Sequence, residues 1–472
     1  MDLSALRLPD RFERLRGENR GTLQTIIVPV EESLHQIDER FADMRAAQRG
    51  SFMVLHGSSG AGKSTFLDTI RLFRENVETV RIPRTSDLEQ ALNELPASSA
   101  PRVIVLENRE ALGIVSSSAL EAAMHAVNMF VRSEEGQDAL VVWPVNTEAL
   151  ANLLAELAQT LGGEALLGPA APINRFRGPA RDDFVKIAER TVAALNEGAS
   201  LAAIGISEDH ARSLLKSADT IGKYLSLIRD SARRAGARVK SLMVVESYKV
   251  WTVVIAGTDT EGDVAALTRG GQSYVDTDRL LTSTGANVVA ELKKQPDALG
   301  VLATVLDARI VHMDLFTALA AARTYGSQKL HAMMDEKGMS TSADRNARER
   351  LESSQLGVLI SGASLGTRRR GIKPRGNTMD AFLKLAEIAQ TSDGLLNDSI
   401  GRGLLSCDLV STYQTEKTLG TSLRYQSDVY CLAEHGPVRL EMMWRKATSR
   451  AEIANYVLQK LSNYGKAIGL LA

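Results

Sequence analysis

Apolar and polar residues follow two different periodicities between residues 50 and 165. Short apolar runs, each long enough for a buried strand, alternate with longer segments in which apolar residues recur every three or four positions, as on one face of a helix. The pattern predicts strands at 52–57, 78–83, 102–107 and 139–145, with helices at 63–75, 87–95, 117–133 and 147–160. Strands that alternate with helices in this way indicate an α/β fold with a parallel sheet.

The same patterns divide the rest of the chain. A charged lead-in contains a helix at 31–45, a helical stretch follows the α/β segment, and the middle region contains a strand candidate at 249–256 among helices. We therefore predict an α/β core over 1–165, helices over 166–236, a largely helical middle domain over 237–340, a linker over 341–377 and a small α+β C-terminal domain over 378–472.

The C-terminal segment has the pattern of a hairpin followed by a helix. A run that contains Asp428 leads through a Gly-Pro turn into a strand that contains Glu441, and an amphipathic helix over 449–464 follows. Glu416 precedes the hairpin, and we assign it to the helical stretch before it.

Composition narrows the class of protein. With 472 residues, 44% hydrophobic and 24% charged, the chain resembles globular proteins of about three domains. A net charge of −1 excludes a uniformly basic nucleic-acid coat but leaves room for local basic patches. The two cysteines form no disulfide framework, and neither a membrane span nor a signal peptide is evident. We therefore expect a cytoplasmic protein outside the membrane.

A glycine-rich loop joins the first predicted strand to the first helix of the α/β core. Its glycines allow backbone N–H groups to turn toward phosphate oxygens, Lys63 can reach the β- and γ-phosphates, and the Ser64 hydroxyl can ligate Mg²⁺. The loop is Gly57-Ser58-Ser59-Gly60-Ala61-Gly62-Lys63-Ser64-Thr65. This matches the pattern G-x4-G-K-[ST]. An ordinary turn before a helix is the alternative, but the register of strand, loop and helix favours a P-loop that binds ATP and Mg²⁺.

The third predicted strand ends in Glu107, which resembles the acidic residue of a Walker B segment. A carboxylate beside the phosphate loop can hold Mg²⁺ through its water shell. Many ATPases of this class carry Asp and then Glu here, whereas this chain has Glu107 and then Asn108. The usual water-activating carboxylate is therefore missing, and Glu110 is the candidate replacement. An acid that only caps the strand is the alternative.

Residues 20–236 resemble the core and helical lid of the AAA+ and STAND ATPases. The fourth strand ends in Asn146 and Thr147, where these families place a sensor of the γ-phosphate. Thr147 also suits an ordinary helix N-cap. The resemblance further implies that Arg175 or Arg177 acts as an arginine finger across a subunit interface, and therefore that the protein is a homo-oligomer. Exposed loop arginines without such a role are the alternative.

A second, less favoured interpretation is an ABC-type ATPase. Residues 267–272, LTRGGQ, resemble the signature of that family, and 299–307 resemble a late Walker B strand. The catalytic Glu should follow Asp307, but Ala308 stands there, and the spacing from Gly271 is long.

The C-terminal segment resembles the core of the PD-(D/E)xK nucleases, in which an Asp and a Glu on adjacent strands bind Mg²⁺ and a Lys orients the attacking water. Asp428 and Glu441 match that spacing, and Glu416 matches an accessory helical acid. The Lys expected two residues after Glu441 is replaced by Met443, which alternation places on the same strand face.

Two basic residues can replace that lysine: Arg445, on the same strand face, and Lys460, on the following helix. Migrated lysines of this kind occur in the nuclease family. The strand that usually follows the last helix is absent from the pattern. A hairpin-and-helix module for assembly or DNA contact, with incidental acids, is the alternative.

A basic run over 368–375, RRRGIKPR, lies in the predicted linker. Such a run is either solvated or in contact with nucleic-acid phosphates, and the lack of interleaved aromatic residues argues against base stacking. DNA is therefore a candidate partner.

Two functional hypotheses follow. In the first, a DNA-associated ATPase drives metal-dependent nuclease activity in the C-terminal domain, a layout common among mobile-element and phage-defence proteins. In the second, the protein is a nucleotide-switched scaffold that oligomerises, or that holds DNA or a second effector protein without cleaving it.

Overall fold

The structure is a computed structural model, and it describes residues 3–110, 116–243, 247–366, 376–419 and 425–471. The chain divides into two compact units. The first unit comprises Leu8–Ala194 and Ala211–Ile228, and the second comprises Met1–Arg7, Leu195–His210 and Arg229–Ala472. The basic run at 368–375 lies outside the described residues.

The first unit is built on a parallel sheet. Its strands are β1 (Ser51–His56), β2 (Glu78–Ile82), β3 (Arg102–Leu106), β4 (Ala139–Val145) and β5 (Ile173–Arg175). Its helices are α1 (Arg20–Ile26), α2 (Glu31–Ala47), α3 (Lys63–Phe73), α4 (Leu88–Asn93), α5 (Ser117–Phe130), α6 (Glu148–Leu161), α7 (Glu164–Leu167) and α8 (Phe184–Leu195). The helices α9 (Glu208–Leu214) and α10 (Ile221–Leu242) contribute residues to both units.

The strand order in this sheet is β2-β3-β4-β1-β5, and every neighbouring pair is parallel. The predicted α/β fold class is therefore confirmed. The four predicted strands and the helices between them are present, with ends within about three residues of the prediction. The fifth strand, β5, is an addition, because its three residues lie in a Pro/Gly-rich stretch that carries no recognisable strand pattern.

Alternation along β1 explains why helices cover both faces of the sheet. Phe52 and Val54 pack among residues of α4, α5 and α6 on one face, whereas Met53 and Leu55 pack among residues of α2 and α3 on the other. Because successive strand residues point to opposite faces, a strand buried on both sides must be apolar throughout. The C-terminal ends of β1, β3 and β4 consequently lie along one edge of a rigid layer.

The second unit contains a mixed sheet. Its strands are β6 (Lys249–Ala256), β7 (Thr268–Arg269), β8 (Tyr274–Val275), β9 (Arg309–His312), β10 (Thr412–Leu419), β11 (Tyr425–Ala433) and β12 (Gly436–Arg445). Its helices are α11 (Glu261–Leu267), α12 (Thr277–Ser283), α13 (Asn287–Leu292), α14 (Pro296–Val305), α15 (Leu315–Tyr325), α16 (Gln328–Glu336), α17 (Ala347–Ser353), α18 (Gln355–Ile360), α19 (Asn377–Ser406) and α20 (Arg450–Ala467).

The strand order of the second sheet is β10-β11-β12-β6-β9-β8-β7. The hairpin strands β10, β11 and β12 are antiparallel, and β12 then pairs in parallel with β6. The sequence patterns assign β6 to a middle domain and β12 to a C-terminal domain, but in the structure both belong to one sheet. The neighbour of β12 on the side away from the hairpin is thus β6, which comes earlier in the chain.

Two local predictions are wrong. Residues 299–305, which the ABC-type interpretation assigns to a late Walker B strand, belong to the helix α14. Pro296 stands at the start of this helix, a position that suits proline. Glu416 lies in the strand β10 and not on a helix, since alternating exposed and half-buried positions over Thr412–Leu419 favour an edge strand. Glu416 itself has a positive φ of 54°, and the pairing of β10 with β11 skips it.

Candidate functional site

The loop between β1 and α3 has the backbone conformation of a tight anion-binding turn. Gly60 and Gly62 have φ values of 83° and 100°, a region that glycine adopts at little cost. A Cβ atom on Gly57 would lie 2.5 Å from the carbonyl oxygen of Phe176. These glycines are therefore required by the path of the loop and by its close approach to the chain after β5.

Lys63 is the first residue of α3 and is only 7% exposed. Its Nζ donates to the carbonyl oxygens of Gly57 and Ser58, the latter at 3.2 Å, and to Oδ1 of Asn146 at 2.9 Å. Within the described part of the chain it forms no ion pair. Burial lowers the pKa of Lys63 to about 8, although the charge of Glu110 opposes the shift. The described hydrogen-bond partners of the ammonium are thus uncharged oxygen atoms.

A cavity of about 560 Å³ lies beside this loop, within the size range of small-molecule sites. Residues Ser59 to Thr65 form one wall, and Asn108, Glu110 and Asn146 line it at the ends of β3 and β4. Apolar side chains from the N-terminal segment form another wall, among them Leu15, Ile26, Ile27 and Val28. The cavity therefore lies between the glycine loop and an apolar wall.

The start of α10 also lines the cavity, through Thr220, Ile221, Gly222, Lys223 and Ser226. Lys223 and Arg11 are further cations on the same cavity, and sequence patterns singled out neither of them. The local signal is the dipeptide Gly222-Lys223 at a helix start, where a Cβ atom on Gly222 would lie 3.2 Å from the Cα atom and from the carbonyl oxygen of Gly60, a close contact.

The two acidic residues after β3, Glu107 and Glu110, have different surroundings. Glu107 pairs with Arg81 and lies 3.3 Å from Nη2 of Arg16, so its carboxylate is held in an arginine network with Asp68. Glu110 instead lines the cavity with Ser64. A serine hydroxyl and one carboxylate suit Mg²⁺, which keeps several waters and takes its remaining ligands from substrate phosphates. Ser64 and Glu110 are therefore the better-placed candidates for the metal.

Of the remaining polar candidates in the first unit, Asn146 lines the cavity, and Thr147, Arg175 and Arg177 do not. Asn146 faces Lys63, whereas the Thr147 hydroxyl accepts from the N–H of Leu150 as the N-cap of α6. Arg175 lies on β5 and Arg177 follows it; both are exposed and neither lines the cavity. Arg175 pairs with Glu148, with Nη1 3.1 Å from Oε2.

A second polar cluster lies beneath α20 in the second unit. Nζ of Lys460 is 2.5 Å from Oε2 of Glu441 and 3.9 Å from Oδ1 of Asp428. Oδ2 of Asp428 accepts the backbone N–H of Met442 at 2.6 Å, and the Tyr464 hydroxyl donates to Oε1 of Glu441 at 2.7 Å. The structure thus brings Asp428, Glu441 and Lys460 together.

The buried surroundings of this cluster raise the pKa values of its two carboxyl groups. Burial raises the pKa of Glu441 to about 7, and it also raises the pKa of Asp428, while the ammonium of Lys460 opposes both shifts. The rings of Tyr425 and Tyr456 lie 5.7 Å and 5.1 Å from Nζ of Lys460. Lys460 is therefore fixed by carboxylates and by aromatic faces together.

The other candidates of this region lie differently. Met443 is buried and apolar, and Nη1 of Arg445 donates to the carbonyl oxygen of Trp444. A helical acid, Asp393 of α19, acts on Asp428: its negative charge contributes to the raised pKa of Asp428. Asp393 directly follows a kink in α19 at Ser392. Sequence spacing missed Asp393, because the kink that positions it has no sequence pattern. No group of three or more potential metal ligands occurs among the described residues.

The five-stranded parallel sheet and the glycine loop between β1 and α3 define a P-loop nucleoside triphosphatase fold. No protein-family model matches the chain, and no curated protein matches it. Among solved structures, the chain is similar to the Orc1 protein of Aeropyrum pernix in complex with DNA, with 16% sequence identity and a TM-score of 0.31. The match covers 47% of this chain and 65% of that one, just under two thirds of its length. None of the described helices is both long and apolar enough to cross a membrane.

Proposed function

We propose that the first unit binds and hydrolyses a nucleoside triphosphate, with ATP as the expected nucleotide and Mg²⁺ as its metal. The observation that carries this proposal is the buried ammonium of Lys63, whose described partners are uncharged oxygen atoms beside an open cavity. Burying a cation without a counter-ion is costly, and a phosphate would supply the missing negative charge.

Three further features suit a triphosphate. The N-terminal end of α3 adds its dipole and free N–H groups to the same wall of the cavity. Lys223 provides a further cation at the start of α10. The apolar side chains Ile26, Ile27 and Val28 suit the face of a base, since an aromatic ring gains from leaving water.

Hydrolysis requires groups that orient water and neutralise charge. Ser64 would hold Mg²⁺, which supplies charge neutralisation on the β- and γ-phosphates when bound. Of the carboxylates that line the cavity, Glu110 lies with Asn108 and Asn146 beside the strand ends, so it would accept a proton from water and the Asn146 amide would orient that water. Glu107 would keep its network with Arg81 intact and act by positioning the end of β3.

The test compares Lys63→Ala with Lys216→Ala, an exposed lysine of the same unit that does not line the cavity. Lys63→Ala should weaken ATP binding at least about 100-fold, because one charge-assisted contact in a buried site contributes about 3 kcal/mol. Lys216→Ala should bind like the parent. Glu110→Gln should retain binding and lose phosphate release. Undiminished affinity in a folded Lys63→Ala protein would contradict the proposal.

A second candidate function is metal-dependent phosphodiester cleavage by the second unit. The observation that favours it is the convergence of Lys460 on Asp428 and Glu441, a migrated lysine beside the two acids of the nuclease-like hairpin. The parallel pairing of β6 with β12 also supplies the fourth strand that such a core needs.

The two carboxylates offer the oxygen ligands that Mg²⁺ prefers, commonly one or two from the protein. A metal there would withdraw Glu441 from Lys460 and lower the proton affinity of both acids. Lys460 would then be free to orient the attacking water. The aromatic rings on either side would keep its ammonium near the acids.

The test incubates the protein with supercoiled plasmid, ATP and Mg²⁺ or Mn²⁺. Nicking by the parent should disappear in Asp428→Asn/Glu441→Gln and persist in Glu349→Gln/Glu434→Gln, which changes two exposed acids of the same unit. If the plasmid stays intact while ATP changes the assembly size, the protein acts instead as a nucleotide-switched scaffold.

Oligomerisation and partner choice stay predictions. Arg175 and Arg177 are exposed, as fingers directed at a neighbouring subunit would be, and a size measurement with and without ATP would test that role. A second effector protein and a role in antiviral defence have only the layout of the chain in their favour.

A further inference from the structure

The helix α10 concentrates positive charge. Its sequence, IGKYLSLIRDSARRAGARVKSL, contains six basic residues and one acidic residue, whereas the whole chain is nearly balanced with 56 basic and 57 acidic residues. In the part of α10 that belongs to the second unit, the exposed cations are Arg233, Arg234, Arg238 and Lys240. We call these four residues the basic face.

The four cations share one side of the helix. At 3.6 residues per turn they span about 160° of the circumference. The opposite side is buried: a Cβ atom on Gly236 would lie 2.5 Å from Leu3, and Ala232 and Val239 are also buried. The basic face is therefore directed to solvent by the packing of the rest of the helix.

The local interactions of Arg233 and Arg234 leave both side chains exposed. Asp230 lies 3.6 Å from Arg233, whose side chain remains 79% exposed, and Arg234 donates to the Ser231 hydroxyl at 3.1 Å. Cations near a helix C-terminus gain from the helix dipole, which suits Lys240, but that effect falls off within the last turn. Arg233 and Arg234 lie well before that turn.

We propose that the basic face of α10 binds the phosphate backbone of duplex nucleic acid. The face carries no aromatic side chain, so it is suited to phosphates and not to stacking on single-stranded bases. An anionic membrane also attracts basic helices, but such helices insert an apolar face, and here that face is buried against the protein's own chain.

The geometry limits the number of contacts. From Arg233 to Lys240 the helix rises about 10 Å, while duplex DNA presents one phosphate about every 1.7 Å of its axis. Each of the four cations therefore has a phosphate within reach. Each contact adds about 0.9 to the magnitude of the slope of log K against log [salt]. Removal of all four should lower the slope of log K against log [salt] by up to about 3.6.

This inference shares its ligand class with the second candidate function but does not depend on cleavage. Binding is therefore measured by fluorescence anisotropy on the full chain in EDTA, without nucleotide, using a labelled duplex DNA. The test variant is Arg233→Gln/Arg234→Gln/Arg238→Gln/Lys240→Gln. The matched control, Lys293→Gln/Lys294→Gln/Lys329→Gln/Lys466→Gln, removes four exposed charges elsewhere in the same unit.

We expect the test variant to lose at least tenfold in affinity at low salt and to show the shallower slope, while the control binds like the parent. Replacement of the three arginines by lysine should restore binding, which separates charge from folding. Duplex RNA should compete with duplex DNA if backbone phosphate alone is recognised. Equal losses in test and control variants, or parent binding to anionic vesicles but not to duplexes, would overturn the proposal. Because binding is measured in EDTA and without nucleotide, failure of either proposed activity is scored separately from duplex binding.

Discussion

The candidate sites of the two units each hold a largely buried lysine, and the two differ in what surrounds the ammonium. The described partners of Lys63 are two carbonyl oxygens and an amide oxygen. Lys460 contacts the carboxylates of Glu441 and Asp428. Among the described residues, the first ammonium therefore has no ion-pair partner, whereas the second is paired with carboxylates.

This difference determines how each site would respond to a ligand. An anion that enters the first site is attracted by a cation that has no ion-pair partner among the described residues and is opposed only by the nearby charge of Glu110. A cation that enters the second site must first compete with Lys460 for the two carboxylates. Under the proposed functions, the first site would accept its ligand without breaking an ion pair, whereas a ligand of the second would have to displace Lys460.

The largest expected contrast is in stability after the same substitution at both lysines. Lys460→Met leaves two buried carboxylates without a cation and should destabilise the second unit by about 3–5 kcal/mol at pH 8. Lys63→Met removes an uncompensated charge and should change stability by less than about 1 kcal/mol without nucleotide, because lost hydrogen bonds offset the gain.

Urea unfolding checks this contrast. Trp143 lies in the first unit with Lys63, and Trp251 and Trp444 lie in the second, so tryptophan fluorescence of a Trp143→Phe background reports the second unit and that of a Trp251→Phe/Trp444→Phe background reports the first. Similar losses for the two methionine variants would show that charge compensation does not distinguish the sites.

The pH dependence of stability should have opposite signs at the two sites. The pKa of Glu441 is raised to about 7, so its contribution to stability is fully present below pH 4.5 and is lost as pH rises through about 7. The pKa of Lys63 is lowered to about 8, so stability is regained as pH rises from about 8 toward 10.5. Each effect amounts to at most about 3 kcal/mol.

Melting temperatures across this pH range test both signs. Glu441→Gln should remove the loss between pH 4.5 and 7, and Lys63→Met should remove the gain above pH 8, each without affecting the other range. A parent profile that neither variant alters would contradict the assignment of these shifts to the two residues.

The same contrast separates what sequence could predict from what it could not. The first site is almost contiguous: a strand, a loop and a helix start within residues 51–65, so a local pattern predicted its elements and its lysine. Asn146 was predictable because the ends of parallel strands meet at one sheet edge. For the acid beside the phosphate loop, the sequence favoured Glu107 and gave Glu110 only as a replacement. The choice between them depends on the pairing of Glu107 with Arg81, which are distant in the chain.

The second site depends on contacts between distant residues. Hairpin spacing selected Asp428 and Glu441, but the spacing alone left Arg445 and Lys460 equally open. The partner strand β6 lies almost 200 residues before β12 in the chain, so no local pattern could connect them. The assignment of Glu416 to a helix was wrong because the strand alternation around it is short and partly masked by polar residues.

A third prediction concerns proton uptake at the first site. Bound phosphate should raise the pKa of Lys63 back toward its usual value, because the anion stabilises the charged form. Above pH 8 nucleotide binding must then take up a proton, and the association constant should fall by up to tenfold per pH unit. Calorimetry in buffers of different ionisation enthalpy should show little uptake at pH 7 and more at pH 9. Affinity independent of pH would contradict an uncompensated Lys63.

The smallest expected effects separate Asn146 from its neighbour Thr147. Thr147→Ala removes the N-cap of α6 and should cost about 1 kcal/mol of stability without changing nucleotide affinity. Asn146→Ala removes an uncharged partner of Lys63 and should lower phosphate release by roughly tenfold or more, with a smaller change in stability. Melting curves and phosphate-release rates of the two variants provide the measurement. Should the two alanine variants exchange these phenotypes, the side chain that senses the phosphate would be Thr147, and the amide of Asn146 would serve only to solvate a buried cation.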